Sequence, residues 1–184
     1  MTSGQPCGPG APTPGSPADL LEDADPASVA HAICLRQLTM GPRTRSQLAD
    51  VLARRGVPEE AAAIVLDRFT EVGLINDASF ARQWVESRHH GRGLSRRALA
   101  QEMRRKGVAD EEMADALSTI DGDAEREMAV VIVTRRLPAT RRLHPDTRVR
   151  RLVGMLTRKG YSPGLAVAVV REALAAEDGG EPNG

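Results

Sequence analysis

The sequence predicts an all-α protein built from three tandem three-helix units. Apolar residues recur at helical spacing along the chain, and no stretch shows the sustained period-2 alternation that is typical of strands. A glycine that closes a basic turn occurs three times, at Gly56, Gly107 and Gly160, with spacings of 51 and 53 residues. Each turn lies between two helical segments, and a third precedes each pair. The repeat therefore defines three units of similar design.

The second helix of each unit ends in the basic turn. Leu48, Leu99 and Leu152 stand eight residues before the three glycines, and a further Leu or Met stands four before each, which places one apolar stripe on each helix. Basic residues in the last turn followed by glycine are typical of helix ends, because the free carbonyls favour cations and a left-handed cap. Start signals for the third helices follow at Pro58, Asp110 and Ser162.

We place the first helices of the units at about residues 28–39, 77–89 and 123–137. In the middle one, Asn76 is the predicted N-cap, and Ile75 and Phe80 stand at the two positions of a hydrophobic staple. Phe80, Ala81 and Trp84 should form its buried face. Loops are expected at residues 41–42, 91–93 and 138–145.

The predicted units span residues 28–75, 76–121 and 122–177. The leader, residues 1–27, is rich in Pro and Gly over its first 18 residues, and we expect it and the tail, residues 178–184, to be disordered, because such segments bury too little apolar surface. Each unit is small and poor in large side chains. Stacking on its neighbours should complete the cores, which predicts an elongated, curved array.

Composition excludes several classes of protein. Only 2% of residues are aromatic, too few for a base-stacking surface, and two cysteines cannot make a disulfide scaffold or a four-ligand zinc site. His89 and His90 are adjacent on a helix and point about 100° apart, so they cannot chelate one ion together. No phosphate-loop or nucleophile-elbow motif occurs. We predict no catalytic residue, cofactor or metal site, and a soluble cytoplasmic chain without signal peptide or membrane span.

The charge is unevenly distributed. The chain has 25 basic and 25 acidic residues, yet residues 28–176 hold all 25 cations against 18 acids. This net charge of +7 suggests an anionic partner, either nucleic acid or an acidic protein surface. An ordinary solvated surface is the alternative that charge alone leaves open.

The segment Gly73-Leu-Ile-Asn-Asp-Ala-Ser-Phe-Ala-Arg82, followed by Arg88, Gly91, Gly93 and the turn from Arg105 to Val108, resembles the signature of the RecX family. The likeness covers about residues 28–176. It implies a bacterial regulator of the RecA recombinase with no catalytic chemistry of its own. It further implies a protein that lies in the groove of the RecA–DNA filament and suppresses strand exchange, ATP hydrolysis and coprotease activity. We expect it to act as a monomer.

Nine cations are candidates for binding the RecA filament, with possible weak contact to DNA: Arg88, Arg92, Arg96, Arg97, Arg104, Arg105, Lys106, Arg141 and Arg142. The cationic turns, which include Arg54–Arg55 and Arg158–Lys159, could equally serve only to stabilise their own helix ends. The Arg96–Arg97 pair and the Arg141–Arg142 pair have less structural reason to be basic, so binding is favoured there. Six motif residues are assigned structural roles: Asn76, Asp77 (as a helix cap), Phe80, Ala81, Trp84 and Gly107.

Two other functions compete with this hypothesis. A helix of one unit could enter the major groove of DNA, although no helix here clusters Asn, Gln and Arg at base-reading positions. The array could also be a scaffold for unrelated partners, but its spacing of 51 and 53 residues differs from the periods of about 34 and 40–47 residues of common helical repeats.

Overall fold

The computed structural model describes residues 25–179, with side chains to residue 177, and this part of the chain contains nine α-helices, one short 3-10 turn and no strand. The helices are α1 Pro26–Thr39, α2 Arg45–Arg54, α3 Glu59–Glu71, α4 Asp77–Arg92, α5 Arg96–Arg105, α6 Asp110–Leu117, α7 Gly122–Arg136, α8 Pro145–Arg158 and α9 Pro163–Gly179, and the 3-10 turn is Pro138–Thr140. The predicted all-α class is confirmed. Residues 1–24 and 180–184, which hold most of the predicted leader and tail, lie outside the described residues.

Each consecutive set of three helices packs mainly on itself and encloses its own core. We call α1–α3 the first unit, α4–α6 the second and α7–α9 the third. The leucines of the repeated motif lie in these cores as predicted, since Leu48, Leu99 and Leu152 are all fully buried. The sequence repeat therefore corresponds to a repeat of structure.

The start of α4 shows one success and one error of prediction. Asn76 is the N-cap, and its side chain accepts a hydrogen bond from the Ser79 amide at 2.7 Å. The staple is wrong: Phe80 packs in the second unit, whereas the buried Ile75 packs in the core of the first. Ile75 therefore adds to the core of the first unit, where it packs with buried residues that include Leu48, Leu52 and Phe69.

The end of α4 also differs from prediction. The helix continues through Gly91 and Arg92 and ends at Gly93, whose φ of 62° is left-handed. The expected loop at residues 91–93 is therefore mostly helical. An added Cβ at Gly93 would lie 2.5 Å from the Ile132 side chain on α7, so this glycine lets the third unit approach the second.

Candidate functional site

Two of the three repeated glycine turns, those at Gly107 and Gly160, join one unit to the next. At the first joint, the turn Lys106–Gly107 of the second unit packs against the start of α2, Thr44–Ser46, in the first unit. The Thr44 hydroxyl donates to the Lys106 carbonyl at 2.5 Å. An added Cβ at Gly107 would lie 2.2 Å from Ser46 Cβ, so only glycine fits. The turn is thus an inter-unit contact as well as a helix end.

The second joint repeats this arrangement between the second and third units. The turn Lys159–Gly160 packs against the start of α5, where the Ser95 amide donates to the Lys159 carbonyl at 3.0 Å. A Cβ at Gly160 would lie 2.4 Å from Ser95 Oγ and 2.7 Å from Ala98 Cβ. The Tyr161 hydroxyl also donates to the Gly93 carbonyl at 3.1 Å. Each joint therefore seats a glycine turn on the capped amino end of a helix in the preceding unit.

A carboxylate completes each joint by accepting the first free N–H of that helix. Asp77 accepts from the Arg45 amide at 2.9 Å, and Glu125 accepts from the Arg96 amide at 2.9 Å. Asp77 was expected to cap its own helix, but it caps α2 of the neighbouring unit instead. Burial raises the pKa of Asp77, while the hydrogen bond and the charge of Arg45 act in the opposite direction. Sequence reasoning missed Glu125, because its partner is 29 residues away.

Two of the candidate binding cations pack on the half-buried Trp84. The Arg88 guanidinium lies 4.2 Å and the Lys106 ammonium 4.1 Å from the centre of the indole ring. The indole N–H donates to the Glu102 carboxylate at 2.9 Å. Burial lowers the pKa of Lys106, and the Glu102 carboxylate opposes this shift. Arg88 and Lys106 therefore have a packing role between α4 and the first joint, in addition to any binding role.

Three other candidate cations line one cleft. Arg96, Arg97 and Arg104 border a cavity of about 720 Å³ between α5, α6 and the start of α9. All three are exposed, and the Arg97 Nε donates to the Gly160 carbonyl at 3.2 Å. Asp110, 4.0 Å from Arg104, and Glu125 offset part of this charge. We call this cavity the arginine cleft.

The two candidate cations of the third unit, Arg141 and Arg142, differ in their contacts. Arg141 donates to Glu177, which also binds Arg148, a residue that the sequence analysis did not select. These two guanidinium groups lower the pKa of Glu177 and tie α9 to the start of α8. Arg142 is exposed and makes no ion pair among the described residues. Arg141 thus has a structural role in this unit, and its predicted role in binding remains a prediction.

The remaining candidates, Arg92 and Arg105, are exposed at the ends of α4 and α5. His89 is buried, with Nδ1 2.9 Å from the Leu94 carbonyl oxygen, which gives it a structural explanation. No group of three or more His, Cys, Asp or Glu within the described residues is placed to hold a metal ion. Among residues 25–179, the helices are too short or too polar to cross a membrane.

Three tandem helical units, each packed on the next, are typical of helical-repeat proteins. Two family models match, described as the first and second three-helix domains of RecX, over residues 30–69 and 76–117 respectively. A regulatory protein RecX from Streptomyces lividans is 61% identical over 153 residues, which are 83% of this chain and 81% of the relative. One from Thermobifida fusca (strain YX) is 52% identical over 163 residues, 89% of this chain and 88% of the relative.

The chain belongs to the RecX family of regulatory proteins. Solved structures share its fold. The crystal structure of RecX from Lactobacillus salivarius gives a TM-score of 0.72 at 19% identity, covering 82% of this chain and 98% of the other. A second crystal structure of regulatory protein RecX gives 0.69 at 22% identity, covering 84% and 76%.

Proposed function

We propose that this protein regulates RecA by binding along the groove of the RecA–DNA filament and suppressing its recombinase, ATPase and coprotease activities. The observation that carries the proposal is the arginine cleft. Arg96, Arg97 and Arg104 present three guanidinium groups beside an inter-unit joint, in a chain whose relatives are regulatory proteins. Such a cleft suits carboxylates or phosphates, which guanidinium groups bind in a fixed planar geometry.

The joined units explain how weak contacts could add up. Each unit is linked to the next by a hydrogen-bonded glycine turn and a carboxylate. A body in which the units are held at fixed positions can contact several protomers of a filament at once. The second and third contacts then form intramolecularly, so the overall affinity exceeds that of any single site. Inhibition follows from obstruction of the groove, and the proposal assigns no catalytic residue, cofactor or metal to this chain.

The arginine cleft is tested by charge reversal. We expect Arg96→Glu with Arg104→Glu to weaken co-sedimentation with RecA filaments by about tenfold or more, because a favourable contact becomes a repulsive one. Inhibition of RecA ATP hydrolysis should fall in parallel. Arg36→Glu with Arg68→Glu is the matched control, since it reverses two exposed arginines of the first unit, away from the cleft. Equal inhibition by wild type and cleft variant would reject the proposed site.

Naked DNA provides the test of the alternative, direct action on nucleic acid. Arg96 and Arg97 begin α5, where their exposed guanidinium groups could reach a phosphate. We expect binding to bare DNA to be weak and to fall steeply with salt, and binding to the RecA filament to be tighter and saturable. Equal affinity for the two would favour the DNA-binding function.

A further inference from the structure

The arginine cleft has an apolar floor as well as a basic wall. Ala100 of α5 and Met113 and Leu117 of α6 line it, and all three residues are buried. A phosphate group gains nothing from such a floor, because an anion beside apolar atoms loses hydration without a compensating hydrogen bond. The floor therefore indicates a ligand that brings apolar surface together with negative charge.

The basic wall of the cleft runs along α5. Arg96, Ala100 and Arg104 follow one another at intervals of four residues, so all three lie on one face of this helix. Arg96 and Arg104 are thereby about 12 Å apart along the helix axis. Ala100 is midway between them, and its short side chain leaves a gap between the two long ones. The wall thus presents a cation, a gap and a second cation over two helical turns.

The charges of this wall are available to a ligand. Glu125 accepts from the backbone amide of Arg96, and the Arg96 guanidinium makes no ion pair among the described residues. Arg104 lies 4.0 Å from Asp110, and both side chains are largely exposed, so this contact is weak. The wall can therefore pair with carboxylates that a partner supplies.

We propose that the arginine cleft binds an amphipathic helix of a partner protein, a helix with two carboxylates about two turns apart and a large apolar side chain midway between them. The carboxylates pair with Arg96 and Arg104, and the apolar side chain enters the gap over Ala100 and covers the floor. Such a helix matches the wall because residues eight positions apart on it are also about 12 Å apart. Ala100 and Ala114, on the two helices that border the cleft, are small enough to let it approach closely. The inference rests on the proposed function only for the identity of the partner, a protomer of the RecA filament.

The first test fills the cleft without changing its charge. Ala114 is exposed and lines the cleft, and Ala63 has the equivalent position, 51 residues earlier, beside the groove between α2 and α3. We expect Ala114→Trp to weaken co-sedimentation with RecA filaments by about tenfold or more, because the indole would occupy the space of the partner's apolar side chain. Ala63→Trp is the matched control and should bind as wild type does. Binding of Ala114→Trp to bare DNA should equal that of wild type, since the exposed guanidinium groups keep their charge.

A helical peptide tests the ligand chemistry in the absence of RecA. The probe is a lactam-bridged helix with two glutamates eight positions apart and a leucine midway between them. Its two controls replace the glutamates by glutamine and the leucine by alanine. We expect the probe to shift the NMR amide signals of Arg96, Ala100 and Ala114 in the full chain, and each control to bind at least about fivefold more weakly. Equal binding of either control would overturn the inference, because both the charge and the apolar side chain are required.

Together the two tests separate this inference from the proposed function. If Ala114→Trp binds filaments as tightly as wild type while Arg96→Glu with Arg104→Glu binds weakly, the cleft acts through charge alone, so the inference is wrong and the proposed function stands. If Ala114→Trp loses bare DNA as much as filaments, the ligand of the cleft is nucleic acid and the inference is also wrong. If wild type fails to bind filaments, the proposed function is wrong. The peptide then decides the inference, which the absence of shifts at the cleft would overturn.

Discussion

The first and second units contain the same groove between their second and third helices, but with opposite electrostatic character. In the first unit the groove has a volume of about 400 Å³, and Arg45 at its edge donates to Asp67 at 2.7 Å. Asp50 and Ala53 also line it. Its one lining arginine is therefore already paired with a carboxylate of the same unit.

In the second unit, 51 residues further along the chain, the groove is the arginine cleft. Arg96 takes the place of Arg45, Gln101 that of Asp50, and Arg104 that of Ala53. The cavity is larger, about 720 Å³, because the start of α9 forms part of its wall. The fold repeats and the surface charge does not. We therefore expect binding specificity to come from the groove of the second unit, whose charge differs from that of the equivalent groove in the first unit.

The largest effect is expected from breaking a joint. Alanine at Gly107 must adopt a φ of 72° and place its Cβ 2.2 Å from Ser46 Cβ. Alanine at Gly56 must also adopt a positive φ, but its Cβ would contact no described residue. We expect Gly56→Ala to lower the free energy of unfolding by about 1–2 kcal/mol. Gly107→Ala should lose a further 1–3 kcal/mol or so from overpacking. Urea unfolding measures both.

A double variant identifies the cause. Ser46→Gly removes the atoms that an alanine at position 107 would meet, so it should recover most of the additional loss in Gly107→Ala. Ser46→Gly should not raise the free energy of unfolding of Gly56→Ala. A loss in Gly107→Ala that persists in full with Ser46→Gly would show that the glycine turn acts only as a helix end and that the joint contributes nothing.

An intermediate effect is expected at the carboxylate of the first joint. Asp77→Ala leaves the Arg45 amide without its acceptor and should cost about 1–2 kcal/mol, whereas Asp77→Asn keeps an accepting oxygen and should cost less. Because burial raises the pKa of Asp77, the folded state holds its proton more tightly than the unfolded state does. Wild type should therefore gain stability relative to Asp77→Asn as the pH falls through that raised pKa, and the gain should be complete below the usual carboxyl pKa of about 3.9.

Thermal unfolding of the two proteins between pH 3 and pH 7 measures this difference. The comparison with Asp77→Asn is needed because Glu177 acts in the opposite sense: its pKa is lowered by Arg141 and Arg148, so its contribution is lost on acidification. A stability difference that does not change with pH would contradict the burial of a charged carboxylate at the joint.

The smallest effect is expected from making the first groove resemble the second. Asp50→Gln with Ala53→Arg copies Gln101 and Arg104 onto exposed positions, so stability should change by less than about 0.5 kcal/mol. Affinity for the RecA filament should rise by about three- to tenfold, measured by co-sedimentation at low salt. Asp123→Gln with Ala139→Arg makes the same change in net charge outside both grooves and is the control. An equal gain in that control would attribute the effect to net charge alone.

The glycine turns show how far local sequence carries a prediction. Their spacing, the basic residues before them and the Leu or Met residues one and two turns upstream are local signals, and they correctly predicted helix ends and buried stripes. The second role of Gly107 and Gly160 depends on Ser46 and Ser95, which are 61 and 65 residues away in the chain. No local rule connects residues at that distance.

The candidate binding site shows the same difference between what local sequence predicts and what contacts between helices decide. The sequence selected nine cations by their charge and clustering and favoured the Arg96–Arg97 and Arg141–Arg142 pairs for binding, but it could not predict their contacts. Packing places Arg96, Arg97 and Arg104 around one cavity, stacks Arg88 and Lys106 on Trp84, and pairs Arg141 with Glu177. Ion pairs and ring stacking depend on distances of a few ångströms between side chains of different helices, and these distances exist only after the helices have packed.

The amino-acid sequence by itself determined the helical class, the three-fold repeat, the buried leucines and the basic character of the body, because helical periodicity, capping and charge act over a few residues. The tertiary structure alone decided which glycines lie at joints, which helix Asp77 caps and which arginines face a common cleft. Those features depend on contacts between units, where the closeness of two backbones determines whether a side chain has room and whether a charge is free to bind a partner.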